Sequence, residues 1–307
     1  MTEISQLPTW SFLSGQANRV AELSVAVVYG GRSSEREVSL RSGEAVLAAL
    51  GRSDAPALGS LTGVEVLPDG RWRVGEHSLT PARALELLPS DAVFLIALHG
   101  GEGEGGVLQG FLEISGRVHT GAGVAASALC LDKVRARHVC AAFGLTVAPG
   151  HSFRTDEWKS DPERHWKAVE ALGSGPWFLK PSLGGSSVSM SVAHDRAGFF
   201  AACDALPALQ PGEALLVEQA IRGVEVTQGL VGPVGDAVDP VPLPLVEICP
   251  KGAGWFDFHE KYSDDGAQEF CPPRNLAPER QAQVARAAQR AWHALGLTSY
   301  ARLDFLV

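Results

Sequence analysis

Lys180-Pro181-Ser182-Leu183-Gly184-Gly185-Ser186-Ser187 sets a lysine before a loop of glycine and serine. An ammonium is a point charge for phosphate, and glycine amides with serine hydroxyls can wrap triphosphate oxygens. No Gly-Lys-Ser/Thr follows the glycines, so this is not a Walker A loop, and a surface hairpin accounts for the same residues. His99-Gly100-Gly101-Glu102-Gly103-Glu104-Gly105-Gly106 holds five glycines in eight residues. That composition costs conformational entropy in a mere connector and suits backbone that approaches a ligand closely; the alternative is a flexible solvated loop. Gly30-Gly31-Arg32-Ser33-Ser34-Glu35 is either a common turn or a cradle for an anion, with Glu35 able to receive an amino group. Glu218 and Glu225 flank Gly223. They read as exposed acids or, beside a nucleotide, as acceptors for ribose hydroxyls or an adenine amino group. Lys261-Tyr262 follows the aromatic cluster Trp255-Phe256-Asp257-Phe258. A snorkelling lysine in an ordinary loop explains the pair, as does a tyrosine hydroxyl near Ser186 that relays a proton.

The elements that must position these residues follow from periodicity. The apolar run Ser24–Tyr29 ends in Gly30-Gly31, and a helical pattern from about Val38 puts Leu40, Val46, Leu47 and Leu50 on one stripe. A second run, Ala92–Leu98, empties into the glycine-rich segment. Strand, glycine loop, helix is the unit of an open parallel sheet, which binds ligands beyond the carboxyl ends of its strands. A fold of this kind is expected over residues 24–122. One helix is expected from about Val124 to near Phe143, with Gly144 as a left-handed C-cap. Thr155–Gly175 is polar and mixed. Strands follow at Trp177–Lys180, with Val188–Ala193 as hairpin partner, and at Ala214–Glu218, Glu225–Val231 and Val241–Ile248. Pro242 and Pro244 make the last of these an edge or broken strand. Pro278–Leu295 predicts a helix that turns Val284, Ala288, Ala291, Trp292 and Leu295 inward and ends at Gly296. In a final strand, Tyr300–Leu306, Ala301, Leu303 and Phe305 share one face while Arg302 and Asp304 share the other. A cation and a carboxylate projecting together suit a pocket for phosphate and a divalent metal.

A chain of 307 residues is long enough for two or three structural units. An apolar share of 45% with 20% charged residues is ordinary for a globular protein. The net charge of −9 argues against nucleic acid or a membrane surface as partner. The longest apolar runs are too short to cross a bilayer, and Met1–Glu22 lacks the pattern of a secretory signal, so residues 1–23 read as a flexible extension. Five cysteines, odd in number and without a C-x-x-C pair, fit reduced thiols in the cytoplasm. Gly-x-Gly-x-x-Gly does not follow the first strand, which argues against a dinucleotide enzyme.

Taken in order, GGRSSEREVSL (30–40), HGGEGEGGVLQG (99–110), TGAGVAASALCLDK (120–133), KPSLGGSSV (180–188), VEQAIRGVE (217–225), FDFHEKY (256–262) and ARLDF (301–305) resemble the successive signatures of D-alanine–D-alanine ligases. The resemblance runs from Val25 to the last residue. It implies an α/β chain whose N-terminal Rossmann-like domain, 24–122, precedes a two-lobed ATP-grasp fold of α+β character. The central lobe would span 123–214 and the C-terminal lobe 215–307. The implied reaction joins two D-alanines with ATP through a D-alanyl phosphate, for peptidoglycan precursors. The resemblance also implies magnesium or manganese, normally two ions, and a cytoplasmic homodimer. Carried over by residue, Glu35 would bind the ammonium of the first D-alanine, His99 would help position a substrate carboxylate, and Glu104 would support the glycine loop. Lys133 and Lys180 would contact ATP phosphates, with Ser186 and Ser187 in the wrapping loop. Glu218 and Glu225 would hold adenine and ribose, with backbone near Ala220 and Ile221. Ser186 and Tyr262 would join Glu35 in a hydrogen-bonded set, Lys261 would face the transferred phosphoryl group, Arg302 would stabilise the oxyanion and Asp304 would ligate metal. Tyr262 after Glu260-Lys261 favours the dipeptide-forming over the depsipeptide type. The chain departs from the pattern at Gly105, where Asp or Asn is usual, at Ser189, where Gly is usual, and at Ala220, where an aromatic residue is frequent. The family pattern continues beyond the Asp304 strand into further metal ligands, whereas this sequence stops at Val307. A truncated chain that binds nucleotide with catalysis absent or weakened is therefore one expectation; a ligase for another carboxylate and amine is another.

Overall fold

The computed structural model describes residues 21–184, 190–205, 213–233, 237–249 and 267–307. The chain divides into two compact units at Thr120/Gly121.

The first unit is built on a six-stranded sheet. In chain order its elements are β1 (Ser24–Gly30), α1 (Arg36–Leu50), β2 (Ser60–Val66), β3 (Trp72–Val74), β4 (His77–Leu79), α2 (Pro81–Glu86), β5 (Val93–Ile96), α3 (Gly101–Glu104), α4 (Val107–Ile114) and β6 (Val118–His119). The strand order is β4-β3-β2-β1-β5-β6. β1 is parallel to β2 and to β5, and β5 is parallel to β6, while β3 and β4 form an antiparallel extension. Ala26, Val28, Val64, Val66, Phe94 and Leu112 are buried together, as expected for apolar strands covered by helices. The chain adds β2 on one side of β1 and later β5 on the other, so this is the switch point of the sheet, where two loops diverge and leave a crevice. The loops are those after β1 and β5. The helical stripe needs correction: Leu40, Val46, Leu47 and Leu50 are only half-buried, and the innermost positions of α1 are Ser39 and Gly43. A Cβ at Gly43 would overlap the Tyr29 ring, so close packing of helix on strand selects small residues there.

The second unit begins with α5 (Val124–Leu131) and α6 (Lys133–Ala142). These replace the single helix expected over 124–143. Asp132 leaves the helical region with ψ 96°, and its carboxylate accepts from the amides of Val134 and Arg135, which caps a new helix instead of continuing the old one. Gly144, with φ +75°, takes the left-handed position after α6. Next come β7 (Gly150–Arg154), α7 (Thr155–Ser160), α8 (Pro162–Glu170), β8 (Trp177–Pro181), β9 (Ser191–Ala193), α9 (Arg196–Ala205) and β10 (Ala214–Gln219). They form an antiparallel sheet in the order β7-β10-β8-β9. Phe153, Trp158, Trp166, Trp177, Phe199, Leu215 and Val217 make its core.

The chain closes with β11 (Glu225–Val231), β12 (Val241–Pro242), β13 (Val246–Cys249), β14 (Gln268–Phe270), α10 (Pro278–Leu295) and β15 (Tyr300–Leu306). β11 pairs with β15 along its whole length on one side, and with β12 and β13 in succession on the other. The strand expected over 241–248 is thus broken at its prolines, because Pro244 has no amide hydrogen for the ladder. α10 buries Val284, Ala288, Ala291 and Trp292, half-buries Leu295, and ends at Gly296 with φ +65°. Ala301, Leu303 and Phe305 pack against this helix's core, as their alternation predicts.

Candidate functional site

In the first unit, the loops after β1 and β5 converge. Ser39 ties the two strand ends together: its hydroxyl donates to Ala97 O (2.7 Å) and accepts from the amide of Gly30 (2.8 Å). The Ser33 hydroxyl donates to His99 O at 2.6 Å, and Arg32 grips Glu102 with two hydrogen bonds of 3.1 and 2.6 Å. Glu35, only 6% exposed, lies beneath Gly100. A Cβ at Gly100 would overlap Glu35 Oε2, and its φ of +68° already favours glycine. His99 Nε2 lies 2.9 Å from the Ser42 hydroxyl, and Nδ1 lies 3.9 Å from Glu104 Oε1. Glu35, His99 and Glu104 are therefore brought together. The loop is more ordered than a solvated connector: Gly101–Glu104 makes a helical turn, Gly103 packs flush on Leu98, and Gln109 Nε2 donates to Gly103 O (2.8 Å). Several of its glycines thus serve packing as well as access.

In the second unit, Lys180 and Glu218 are diagonal neighbours on one face of the β8/β10 ladder, since Lys180 opposes Leu216. Lys180 Nζ is 2.6 Å from Glu218 Oε2. On the other oxygen, Arg137 Nε lies 3.3 Å from Oε1, within ion-pair range but without an aligned hydrogen bond. Lys133 begins α6; its amide donates to Ser182 O (2.9 Å), and its ammonium donates to Pro181 O (3.3 Å) and to Gly184 O. Burial, and then repulsion from Lys180, push the Lys133 ammonium below its ordinary pKa. Lys180 and Arg137 thus both face Glu218, while Lys133 lies beside Lys180 with Glu213, Asp132 and Glu218 as its neighbouring carboxylates. Ala220 and the half-buried Ile221 follow β10 directly, and the amide of Ala220 is engaged by Pro176 O at 3.0 Å, so that donor is taken.

A second polar face lies on the β11/β15 ladder. Glu225 opposes Leu306, Thr227 opposes Asp304 and Gly229 opposes Arg302, so Glu225, Thr227, Arg302 and Asp304 project from one side of the sheet. The Thr227 hydroxyl donates to Asp304 Oδ1 (2.6 Å), and Arg302 Nε is 3.4 Å from the same oxygen. Arg302 and Asp304 remain 72% and 52% exposed. Ser186, Ser187, Lys261 and Tyr262 lie outside the described residues.

Sequence reasoning missed Ser42, Thr227 and Arg137. Ser42 and Thr227 touch partners 57 and 77 positions away, which no local pattern records. Arg137 had a signal: it stands one helical turn after Lys133 and so shares its face.

Residues 139–307 match the family described as "D-ala D-ala ligase C-terminus". The D-alanine--D-alanine ligase of Citrifermentans bemidjiense is 38% identical over 283 residues, covering 92% of this chain and 81% of that protein. Among solved structures, the VanG D-Ala:D-Ser ligase from Enterococcus faecalis superposes with a TM-score of 0.74 at 24% identity, over 93% of this chain and 86% of that one. The D-alanine-D-alanine ligase from Coxiella burnetii gives 0.70 at 23%, over 94% and 81%. These likenesses establish the fold as a Rossmann-like domain followed by ATP-grasp. With a match at this identity along nearly the whole chain, the protein belongs to the D-alanine–D-alanine ligase family.

Proposed function

We propose that this chain joins two D-alanines with ATP, through a D-alanyl phosphate, to make a dipeptide for peptidoglycan. The observation that carries the nucleotide half is the grouping of three cations at the end of β8, with Lys180 and Arg137 on Glu218 and the Lys133 ammonium beside Lys180. Cations grouped in this way offer a polyanion local contacts in a chain of net charge −9. The 38% identical ligase supports D-alanine as substrate.

A carboxylate is a poor electrophile until phosphorylation turns one of its oxygens into a leaving group. In this reading Lys133 and Lys180 hold the phosphates, with Ser186 and Ser187 in the wrapping loop and Lys261 at the transferred group. Glu218 and Glu225, with backbone at Ala220 and Ile221, receive adenine and ribose. Glu35 binds the ammonium of the first D-alanine, and His99, steadied by Ser42 and Glu104, orients a carboxylate. Ser186 and Tyr262 serve proton transfer, and Arg302 neutralises the tetrahedral oxyanion. Catalysis then rests on alignment and charge neutralisation.

Asp304 suits a hard cation: its carboxylate is exposed on the polar face and oriented by Thr227. Among the described residues no group of three or more His, Cys, Asp or Glu side chains gathers to cage an ion. Asp304 would be the described residue that holds magnesium or manganese there. Such an ion supplies charge neutralisation at the phosphates when bound. Among the described residues no helix is long and apolar enough to cross a membrane, and the five cysteines are free. A cytoplasmic homodimer is the setting we propose, the free thiols fitting a reducing compartment.

Phosphate release by the full chain with ATP, Mg²⁺ and D-alanine tests the proposal. Release that requires D-alanine and is not supported by L-alanine or D-lactate is the expected result. Equal release with and without D-alanine would contradict it, and faster turnover on D-alanine plus D-serine would reassign the second substrate.

A further inference from the structure

We infer that Arg137 is the fixed counter-charge of Glu218, a positioning residue that aims this carboxylate at the nucleotide base while Lys180 is released to the phosphates. The inference rests on the nucleotide reading above and deepens it. The two cations on Glu218 are not equivalent. The Arg137 side chain is 13% exposed and that of Lys180 is 29% exposed. Arg137 is also anchored on its far side, where Nη2 donates to Ala148 O. Gly150, which opposes Glu218 in the β7/β10 ladder, makes the space: a Cβ there would fall 2.9 Å from Nη2 and 3.1 Å from Cζ. The guanidinium therefore lies across a strand position that has no side chain. Its Nε is buried and faces Glu218 Oε1 with a hydrogen bond still to be completed. Lys180, at the end of β8 and more exposed, is free to leave. Once a triphosphate attracts Lys180, Glu218 needs another partner, because a largely buried carboxylate without one is strongly disfavoured. Arg137 supplies it and leaves Oε2 free to accept a hydrogen bond. An adenine amino group donates at that position, whereas guanine presents a carbonyl oxygen, so a fixed carboxylate selects ATP over GTP.

Calorimetric titration of the full chain with ATP and with GTP, each with Mg²⁺, tests this on three variants. Arg137→Met is expected to weaken ATP binding roughly tenfold and to lower the ATP-over-GTP preference, as loss of a charged partner implies. Arg137→Lys, which keeps charge but loses the fork, should fall between Arg137→Met and the parent. Lys180→Met should weaken ATP and GTP alike. If Lys180→Met leaves ATP binding intact, the nucleotide reading itself fails. If Lys180→Met weakens binding but both Arg137 variants keep the parental ATP/GTP ratio, only the Arg137 inference is overturned. Should Arg137→Met lose its cooperative thermal transition, the ratio measured on Arg137→Lys decides alone.

Discussion

Glu35 sits beneath a glycine that tolerates no side chain, and this defines what each residue can be asked to do. A carboxylate at the switch point of a parallel sheet lies where such sheets bind ligands, and its charge suits a small cationic group. Glu35→Gln keeps the shape and removes the charge. It is expected to raise the KM for D-alanine at least tenfold, the size of a lost charge-assisted bond, and to leave ATP affinity unchanged by calorimetry. Ser42→Ala frees Nε2 of His99 from its 2.9 Å partner. A smaller rise in that KM, roughly threefold to tenfold, is expected from loss of one neutral hydrogen bond, read in the same steady-state assay. Both residues of a contact were legible only when they lay in a recognisable string. Glu35, His99, Lys180 and Asp304 could be named from sequence, whereas Ser42 and Thr227 could not, because a hydroxyl becomes functional through the partner that the fold brings to it.

Helices and strands were legible where a single pattern ran uninterrupted, as in α10 and β15. The pattern misled where a side chain overrode it. Asp132 ends α5 and caps α6 within an otherwise continuous helical stretch. The short helices α7 and α8 escaped notice because their charged surfaces hide a sparse apolar set, Trp158, Trp166 and Val169. α1 looked leucine-faced, yet its contact with β1 is made through Gly43. Gly43→Ala should therefore destabilise the first unit by about 1–3 kcal/mol, the usual range for overpacking, measured by urea denaturation. β13 carries the opposite surprise, a carboxylate in the core. Burial alone would raise the pKa of Glu247, but hydrogen bonds from Asn275, Cys249 and Arg274 bring it down to about 2. Because the folded pKa is depressed below its ordinary value of 4.5, its stabilisation is complete above that pH and is lost as pH falls through 2. The shift corresponds to roughly 3 kcal/mol. Glu247→Gln should lower the denaturation midpoint at pH 7, with the gap to the parent narrowing below pH 4. A gap of constant size across that range would show that the carboxylate's charge is not what stabilises the fold.

At the scale of the whole molecule, an acidic chain brings Lys133, Lys180 and Arg137 close together. That concentration was invisible in the net charge of −9, since it depends on β8, β10 and α6 meeting, but its ingredients were visible in the strings around Lys133 and Lys180. The parallel sheet of the first unit was legible because strand, glycine loop and helix are local units; the antiparallel ladders that join Lys180 to Glu218 and Thr227 to Asp304 are not. The central claim is that ATP activates the carboxylate of D-alanine, and isotope transfer examines it most directly. The full chain would be given ATP, Mg²⁺ and D-alanine labelled with ¹⁸O in its carboxylate, and both dipeptide and released phosphate would be weighed by mass spectrometry. One labelled oxygen in each phosphate, matched by one D-alanyl-D-alanine, is the expected result, because the bridging oxygen of an acyl phosphate leaves with phosphorus. Unlabelled phosphate would mean that water attacks ATP and that no acyl phosphate forms, which contradicts the claim.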